Sequence, residues 1–300
     1  MTEKLLITGG SGFLGSNIAK MAAEDFEVFA TYNSSLKQMP ECRFVPLDIR
    51  DKQRVLSTFE EIKPTLVVHT AALADVDYCE GHANEARMTN VLGTENVALA
   101  AKRVGAKMIY ISTDSVFDGK KGMYVEEDVP CPLNVYAMTK RGGEERVQHW
   151  LPDGIIVRAA FYGWGPSDRA SLAEWVVSSL RQGKTLKMFT DVFFSPIFID
   201  NLVEAMIELY RNGVRGIYHI GGRERCSKYA FGREIAQAYG LDKCFIQPSS
   251  IAEVGLRALR PKDISLDITK VSEAINTRLL DVKEGIARFK NLEHSAKEKR

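Results

Sequence analysis

Lys4-Leu-Leu-Ile-Thr-Gly-Gly-Ser-Gly-Phe-Leu-Gly15 is the stretch that decides the fold. A short apolar run, Leu5 to Ile7, ends in glycines at 9, 12 and 15, and an amphipathic run with Ile18, Ala19, Met21 and Ala22 follows. That order reads as strand, tight turn, helix. Glycine at such a turn tolerates positive φ and lets the backbone come close to a ligand. The free N–H groups at the helix start, with the helix dipole, suit a pyrophosphate. The spacing is G-x-x-G-x-x-G, not the commoner G-x-G-x-x-G of dinucleotide folds, and a ligand-free turn has the same glycines. The rest of the chain has to decide between them.

Outward from this turn, strands and helices alternate. Glu27–Tyr32 and Arg43–Asp48 read as strands, the latter with Pro46 best placed at an edge or strand end. Asp51 caps a helix to about Ile62, and Thr65–His69 is a nearly all-apolar strand of the buried parallel type. A helix over about Asn84–Val104, the strand Lys107–Ile111, a long loop from Asp114 to Leu133, a helix over about Asn134–Trp150 and the strand Ile155–Val157 follow. This alternation predicts a doubly wound, Rossmann-type parallel sheet in an α/β fold. The second half changes character, with helices over about 170–181, 200–211, 228–239 and 282–289 and short strands near 186–189 and 217–220. We expect a cofactor-binding domain over 1–160, with contributions from about 190–220. A smaller, partly interleaved substrate lobe over 161–300 is expected at the sheet's carboxyl edge, where ligands bind in open α/β sheets. The charged end, Glu293–Arg300, is expected to fray.

Bulk properties narrow the class. The 40 basic and 39 acidic residues of the 300 give no support for a nucleic-acid or anionic-membrane partner. No apolar run is long enough to span a bilayer, and no signal-peptide pattern precedes the first strand. Cys42, Cys79, Cys131, Cys226 and Cys244 are scattered and lack metal-ligand spacing, which reads as reduced thiols in the cytoplasm and no metal site. His69 and His219 sit in apolar runs and read as core or near-site residues rather than ligands.

Two further stretches carry chemistry. In Tyr136-Ala-Met-Thr-Lys140 the i, i+4 spacing puts phenol and ammonium on one helix face. A neighbouring cation favours the phenolate and lowers the tyrosine pKa, which would let Tyr136 exchange a proton near neutral pH. A plain surface Tyr–Lys pair has the same spacing. Tyr110-Ile-Ser-Thr-Asp114-Ser-Val-Phe-Asp118 lies at the carboxyl end of a buried strand, so its hydroxyls point towards the same cleft as the glycine turn. A hydroxyl there can hold a substrate carbonyl. Neighbouring strand residues face opposite ways, so of Ser112 and Thr113 the former is the better candidate for mere loop capping.

Taken with Leu47-Asp48-Ile49, Ala71-Ala72 and Asn90, these motifs resemble the extended short-chain dehydrogenase/reductase family over nearly the full length. Within it, Ala71-Ala-Leu-Ala-Asp-Val-Asp-Tyr-Cys-Glu80, Ile111–Gly119, Ser195-Pro196 and Arg260–Asp267 are most similar to the dTDP-4-dehydrorhamnose reductases. The resemblance implies a catalytic trio of Thr113, Tyr136 and Lys140, reduction of the 4-keto group of a nucleotide-linked deoxysugar, and a homodimer. It implies cofactor contacts at Gly9, Gly12, Phe13, Leu14, Gly15, Asp48, Ile49, Ala71, Ala72, Asn90, Tyr136 and Lys140. Substrate contacts are expected at Asp75, Val76, Asp114, Ser115, Phe161, Trp164 and Arg260. Related dehydratases carry Asp-Glu after this Thr; here Ser115 follows Asp114, which argues against water elimination. The reductases usually have Tyr where Ser115 stands. They also carry a Trp where this chain has the one-residue-shorter Arg158-Ala-Ala-Phe-Tyr-Gly163 before Trp164. An epimerase of the same family stays open. So does the regulatory β subunit of methionine adenosyltransferase, which is similar around Tyr124–Asn134.

Cofactor choice is read after the second strand. Thr31-Tyr-Asn-Ser-Ser-Leu-Lys37 has no acid for the ribose 2′-hydroxyl that NAD enzymes bond, and no arginine for a 2′-phosphate. Asn33, Ser34, Ser35 and Lys37 would hold a phosphate more weakly, so NADP(H) is favoured and NAD(H) stays open.

Overall fold

The computed structural model describes residues 2–34, 41–165 and 170–298, the last five as backbone. Seven strands form one sheet: β1 (Lys4–Thr8), β2 (Glu27–Tyr32), β3 (Arg43–Pro46), β4 (Leu66–His69), β5 (Lys107–Ile111), β6 (Ile155–Arg158) and β7 (Gly216–His219). Their order is β7-β6-β5-β4-β1-β2-β3, and every pairing is parallel. This is the expected Rossmann-type α/β sheet. Pro46 ends β3, the edge strand, where no ladder donor is lost. The order reverses between β1 and β4, so a crevice opens beyond their carboxyl ends.

Period-two alternation along the strands builds a core on each face. Leu5 and Ile7, Leu66 and Val68, Ile109 and Ile111, and Ile155 and Val157 pack on one side with the helices Phe13–Ala22 and Ile199–Arg211. Leu6, Val67, Met108 and Ile156 pack on the other with Lys52–Ile62, Thr94–Val104 and Val135–Trp150. With both faces covered, the strands are near-continuous apolar runs. Each fully buried Leu or Ile contributes about 2 kcal/mol from its removal from water.

Three elements depart from expectation. The helix expected over 84–104 is interrupted: Ala83–Arg87 and Thr94–Val104 flank a π-helical stretch, Met88–Gly93. Such bulges collect at functional sites, and this one carries Asn90. The expected third strand stops at Pro46, two residues early. The C-terminal helix runs Val282–Glu298, past the expected end at Phe289, and within it Glu293 forms a two-point ion pair with Arg181 at 2.5 and 2.8 Å.

The second half completes the sheet with β7 and adds a lobe. There Leu186–Phe189 pairs with Ile246–Ser249 between the helices Leu172–Arg181 and Lys228–Tyr239. The stretch Asp263–Asp267 ties this lobe to the loop after β5, through Asp263 N to Gly119 O (3.1 Å) and Tyr124 N to Ser265 O (2.9 Å).

Candidate active site

The glycine turn at the end of β1 is shaped for close approach. Gly9 has φ +71°, and a Cβ there would stand 2.8 Å from the backbone of Ala71. A Cβ on Gly15 would collide with the Gly9 carbonyl oxygen, so only glycine lets the helix seat against the turn. Gly12 is the N-cap of Phe13–Ala22, and no side chain caps it. The first-turn N–H groups, including those of Phe13 and Leu14, therefore have no partner within the helix. A cradle of uncommitted donors at a helix N-terminus fits a dinucleotide pyrophosphate.

Two cavities meet at Gly9 and Gly12. The first is lined by Tyr32, Asn33, Ser34, Asp48, Ile49, Ala71 and Ala72. The second, of about 550 Å³, is lined by Phe13, Leu14, Asp75, Tyr136, Lys140 and Phe161. The phenol and the ammonium thus share a cavity with the glycine turn. Ser35 and Lys37 lie outside the described residues.

The Tyr–Lys pair departs electrostatically from expectation. Asn134 caps its helix by accepting from Ala137 N at 2.9 Å. Lys140 Nζ donates to Ile111 O at 2.6 Å and lies 4.2 Å from the Tyr110 ring centroid. Burial pushes Lys140 down to about 7, against the pull of Glu144. Tyr136 is not lowered: desolvation raises it, Asp114 adds to the rise, and a hydrogen bond with Thr113 opposes it. Thr113 Oγ1 donates to Asp114 Oδ1 at 3.1 Å and accepts from Ser115 N at 3.1 Å. Burial pushes Asp114 up to about 6. Ser112, by contrast, turns inward and donates to Glu144 Oε1 at 2.6 Å.

Below the site runs a buried polar network. Arg158 Nε and Nη2 donate to the two Glu144 oxygens at 2.9 and 2.8 Å, with both side chains fully buried. Burial pushes Glu144 up, but Arg158, Ser112 and Arg141 overcome it and leave its pKa below the ordinary value. His219 Nδ1 faces Tyr124 O at 2.9 Å, and burial lowers its pKa to about 4, so it is neutral. His69 sits between Thr8 and Thr94, and burial lowers it to about 3. Both histidines are core residues.

Two expected contacts are not where the motifs suggested. Asn90 is buried and does not face the cavities: its amide accepts from Leu73 N (2.8 Å) and donates to Leu73 O (3.0 Å) and Thr139 Oγ1 (3.0 Å). It holds the wall of the cleft rather than a ligand. Trp164 faces the C-terminal helix, stacked on Phe289 at 4.5 Å with Nε1 donating to Phe289 O. Phe161 instead stacks on Phe13 (5.9 Å) at the cavity.

A third cavity, under the second lobe, holds Val76, Asp114, Ser115 and Arg260. Asp75 caps Val76–Gly81, accepting from Tyr78 N, and Arg260 pairs with Asp77 at 2.9 Å. Lining residues that escaped the sequence reading include Trp175, Lys228 and, in the first cavity, Arg50. An arginine, Arg50, does stand at that end of the cleft, although none directly follows the second strand. Its guanidinium grips Asp48 at 2.6 Å beside Asn33 and Ser34, from a loop the fold brings over from β3.

A family model described as the RmlD substrate binding domain matches residues 3–294. The chain belongs to this family. A probable low-salt glycan biosynthesis reductase of Haloferax volcanii, Agl14, is 33% identical over 270 residues, 88% of this chain and 90% of that protein. The methionine adenosyltransferase 2 subunit beta of Xenopus tropicalis is 30% identical over 291 residues, 90% of this chain and 82% of that protein. The crystal structure of dTDP-4-dehydrorhamnose reductase from Bacillus anthracis in complex with NADP superposes with a TM-score of 0.87 at 28% identity, covering 96% of this chain and 99% of that one. RmlD-type chains are extended short-chain dehydrogenase/reductases, as the motifs implied. Among the described residues, no cluster of three or more His, Cys, Asp or Glu is arranged for a metal, and no helix is long and apolar enough to cross a membrane.

Proposed function

We propose that this chain reduces the 4-keto group of a nucleotide-linked deoxysugar with NADP(H). The observation that carries the reading is the convergence of Tyr136 and Lys140 on the cavity that also holds the glycine turn, with Thr113 beside the phenol. The turn's N–H donors would hold the pyrophosphate, and Asn33, Ser34 and Arg50 the 2′-phosphate end. NADPH, when bound, supplies the hydride. Thr113 and Tyr136 orient the carbonyl oxygen, and Tyr136 delivers the proton to it. Its raised pKa keeps the phenol protonated at neutral pH, which suits a donor. Lys140, in the same cavity, would face the ribose. In this reading residues 1–160, with about 190–220, serve the cofactor and 161–300 mainly the sugar nucleotide. The enzyme works in the cytoplasm as a homodimer, and the five cysteines, all free, fit that compartment.

The likeness to the methionine adenosyltransferase β subunit favours a second reading, in which the chain binds NADP(H) as a regulator. Absorbance of NADPH during incubation with dTDP-6-deoxy-L-lyxo-4-hexulose separates them. Substrate-dependent oxidation is expected; stoichiometric binding without oxidation would instead support the regulator. Catalytic retention of the cofactor with no net oxidation would point to an epimerase.

A further inference from the structure

Lys228 has no part in the machinery assigned above. Ser227 caps the helix Lys228–Tyr239, so Lys228 occupies its first position, where the helix dipole opposes a cation. Its ammonium lies 3.2 Å from the centroid of the Phe194 ring, and among the described residues it makes no salt bridge or side-chain hydrogen bond. It lines the third cavity, of about 410 Å³, together with Asp114 and Ser115.

Lys187 and Arg260 line that cavity too, the latter paired with Asp77, and among the described residues the acid that lines it is Asp114. Its Oδ1 accepts from Thr113 Oγ1 at 3.1 Å and from Ser115 Oγ at 3.3 Å, which leaves Oδ2 uncommitted. Asp114 and Lys228 each favour the charged form of the other, although burial works against both, lowering Lys228 to about 8. At neutral pH both carry charge, yet they form no direct ion pair. An ammonium only donates and a carboxylate only accepts. A group that both accepts and donates satisfies the two at once, and on a sugar that group is a hydroxyl, accepting from Lys228 and donating to Asp114. An anion there would face the carboxylate, and a cation the ammonium.

Asp114 also fixes where on the substrate this occurs. It follows Thr113 directly, and its charge reaches the Tyr136 hydroxyl. We propose that Lys228 and Asp114 together grip one free hydroxyl of the sugar on the carbon beside the reacting carbonyl, and that Lys228 thereby selects a hydroxylated hexose over its deoxy counterpart. This rests on the reductase reading for the identity of the reacting carbon.

The test uses binding, so that it stands apart from turnover. The full chain, loaded with NADP, is titrated calorimetrically with a dTDP-6-deoxyhexose, with its 3-deoxy counterpart and with dTDP alone. Wild type should prefer the hydroxylated hexose by about 10- to 100-fold, the worth of a hydrogen bond to a charged group. Lys228→Met should bring that preference close to unity with dTDP and NADPH affinities unchanged, and Lys228→Arg should restore part of it. Equal weakening of both hexoses, or a preference that survives Lys228→Met, would overturn the proposal, as would a wild type that binds neither hexose. Should wild type show the preference but never oxidise NADPH with the keto sugar, the clamp stands and the reductase reading falls.

Discussion

A phenol that protonates a carbonyl must hold its proton until hydride arrives. Tyr136 meets that requirement through burial, with Asp114 adding to the rise in its pKa. Lys140 is meanwhile tied to Ile111 O. Tyr136→Phe removes only the hydroxyl, and turnover should fall by about 100- to 10,000-fold, the worth of positioned acid catalysis. NADPH affinity, followed by its fluorescence, should stay unchanged, because the turn and the adenosine end are untouched; retained turnover would remove Tyr136 from the role. At this scale the motifs were legible where chemistry fixes spacing: Tyr136, Lys140 and Thr113 could be picked from the chain. The direction of the Tyr136 shift could not, because desolvation depends on packing that no spacing reports. Arg50 was hidden for a similar reason. It follows the third strand, and only the β2–β3 pairing sets it beside Asn33 and Ser34.

Elements carry the glycine argument. Helix Phe13–Ala22 aims its free N–H groups at the cleft only if Gly15 lets it lie against Gly9 and Gly10. In Gly15→Ala the new methyl meets rigid backbone, with Gly10 Cα 2.8 Å away, so turn or helix has to shift. Such overpacking costs about 1–3 kcal/mol. A lower melting temperature and weaker NADPH binding are expected together; wild-type values for both would show that the turn tolerates a Cβ. The apolar strands and capped helices were readable because buried parallel strands are nearly all apolar and Asp51 and Asn134 cap by short polar side chains. The π-helical Met88–Gly93 was not, since nothing in its residue pattern differs from an α-helix. Its cause is tertiary: Asn90 reaches the Leu73 backbone and Thr139. Trp164 misled for the same kind of reason. Packing against the C-terminal helix turns it onto Phe289, and Phe161 lines the cavity instead.

In the molecule as a whole, three cavities run along the carboxyl edge of one sheet. One sits beside β2, one over β1 and β5, and one under the second lobe. The proposed catalytic trio stands between the last two, with Tyr136 and Lys140 lining one and Asp114, next to Thr113, lining the other. A hydride donor on one side and a sugar on the other would therefore meet at Tyr136. The buried Arg158–Glu144 pair ties β6 to the catalytic helix beneath this point and anchors Ser112. Breaking such a pair by removing one partner costs about 3–5 kcal/mol, so the floor of the site is held firmly. The sheet and its crevice followed from alternating elements. A second lobe was expected too, but its internal pairing was not, because its short strands and loop contacts join distant parts of the chain, as Leu186–Phe189 does with Ile246–Ser249.

The central claim is net hydride transfer to a sugar carbonyl in this crevice. The most direct measurement is the mass of the sugar after incubation with NADPH deuterated at the nicotinamide C4 and dTDP-6-deoxy-L-lyxo-4-hexulose. One deuterium per sugar, fixed at the former carbonyl carbon and lost in Tyr136→Phe, is the predicted result. An unlabelled sugar recovered alongside intact, tightly bound cofactor would contradict the account and leave the chain an epimerase, if the sugar is inverted, or a nucleotide-binding regulator, if it is unchanged.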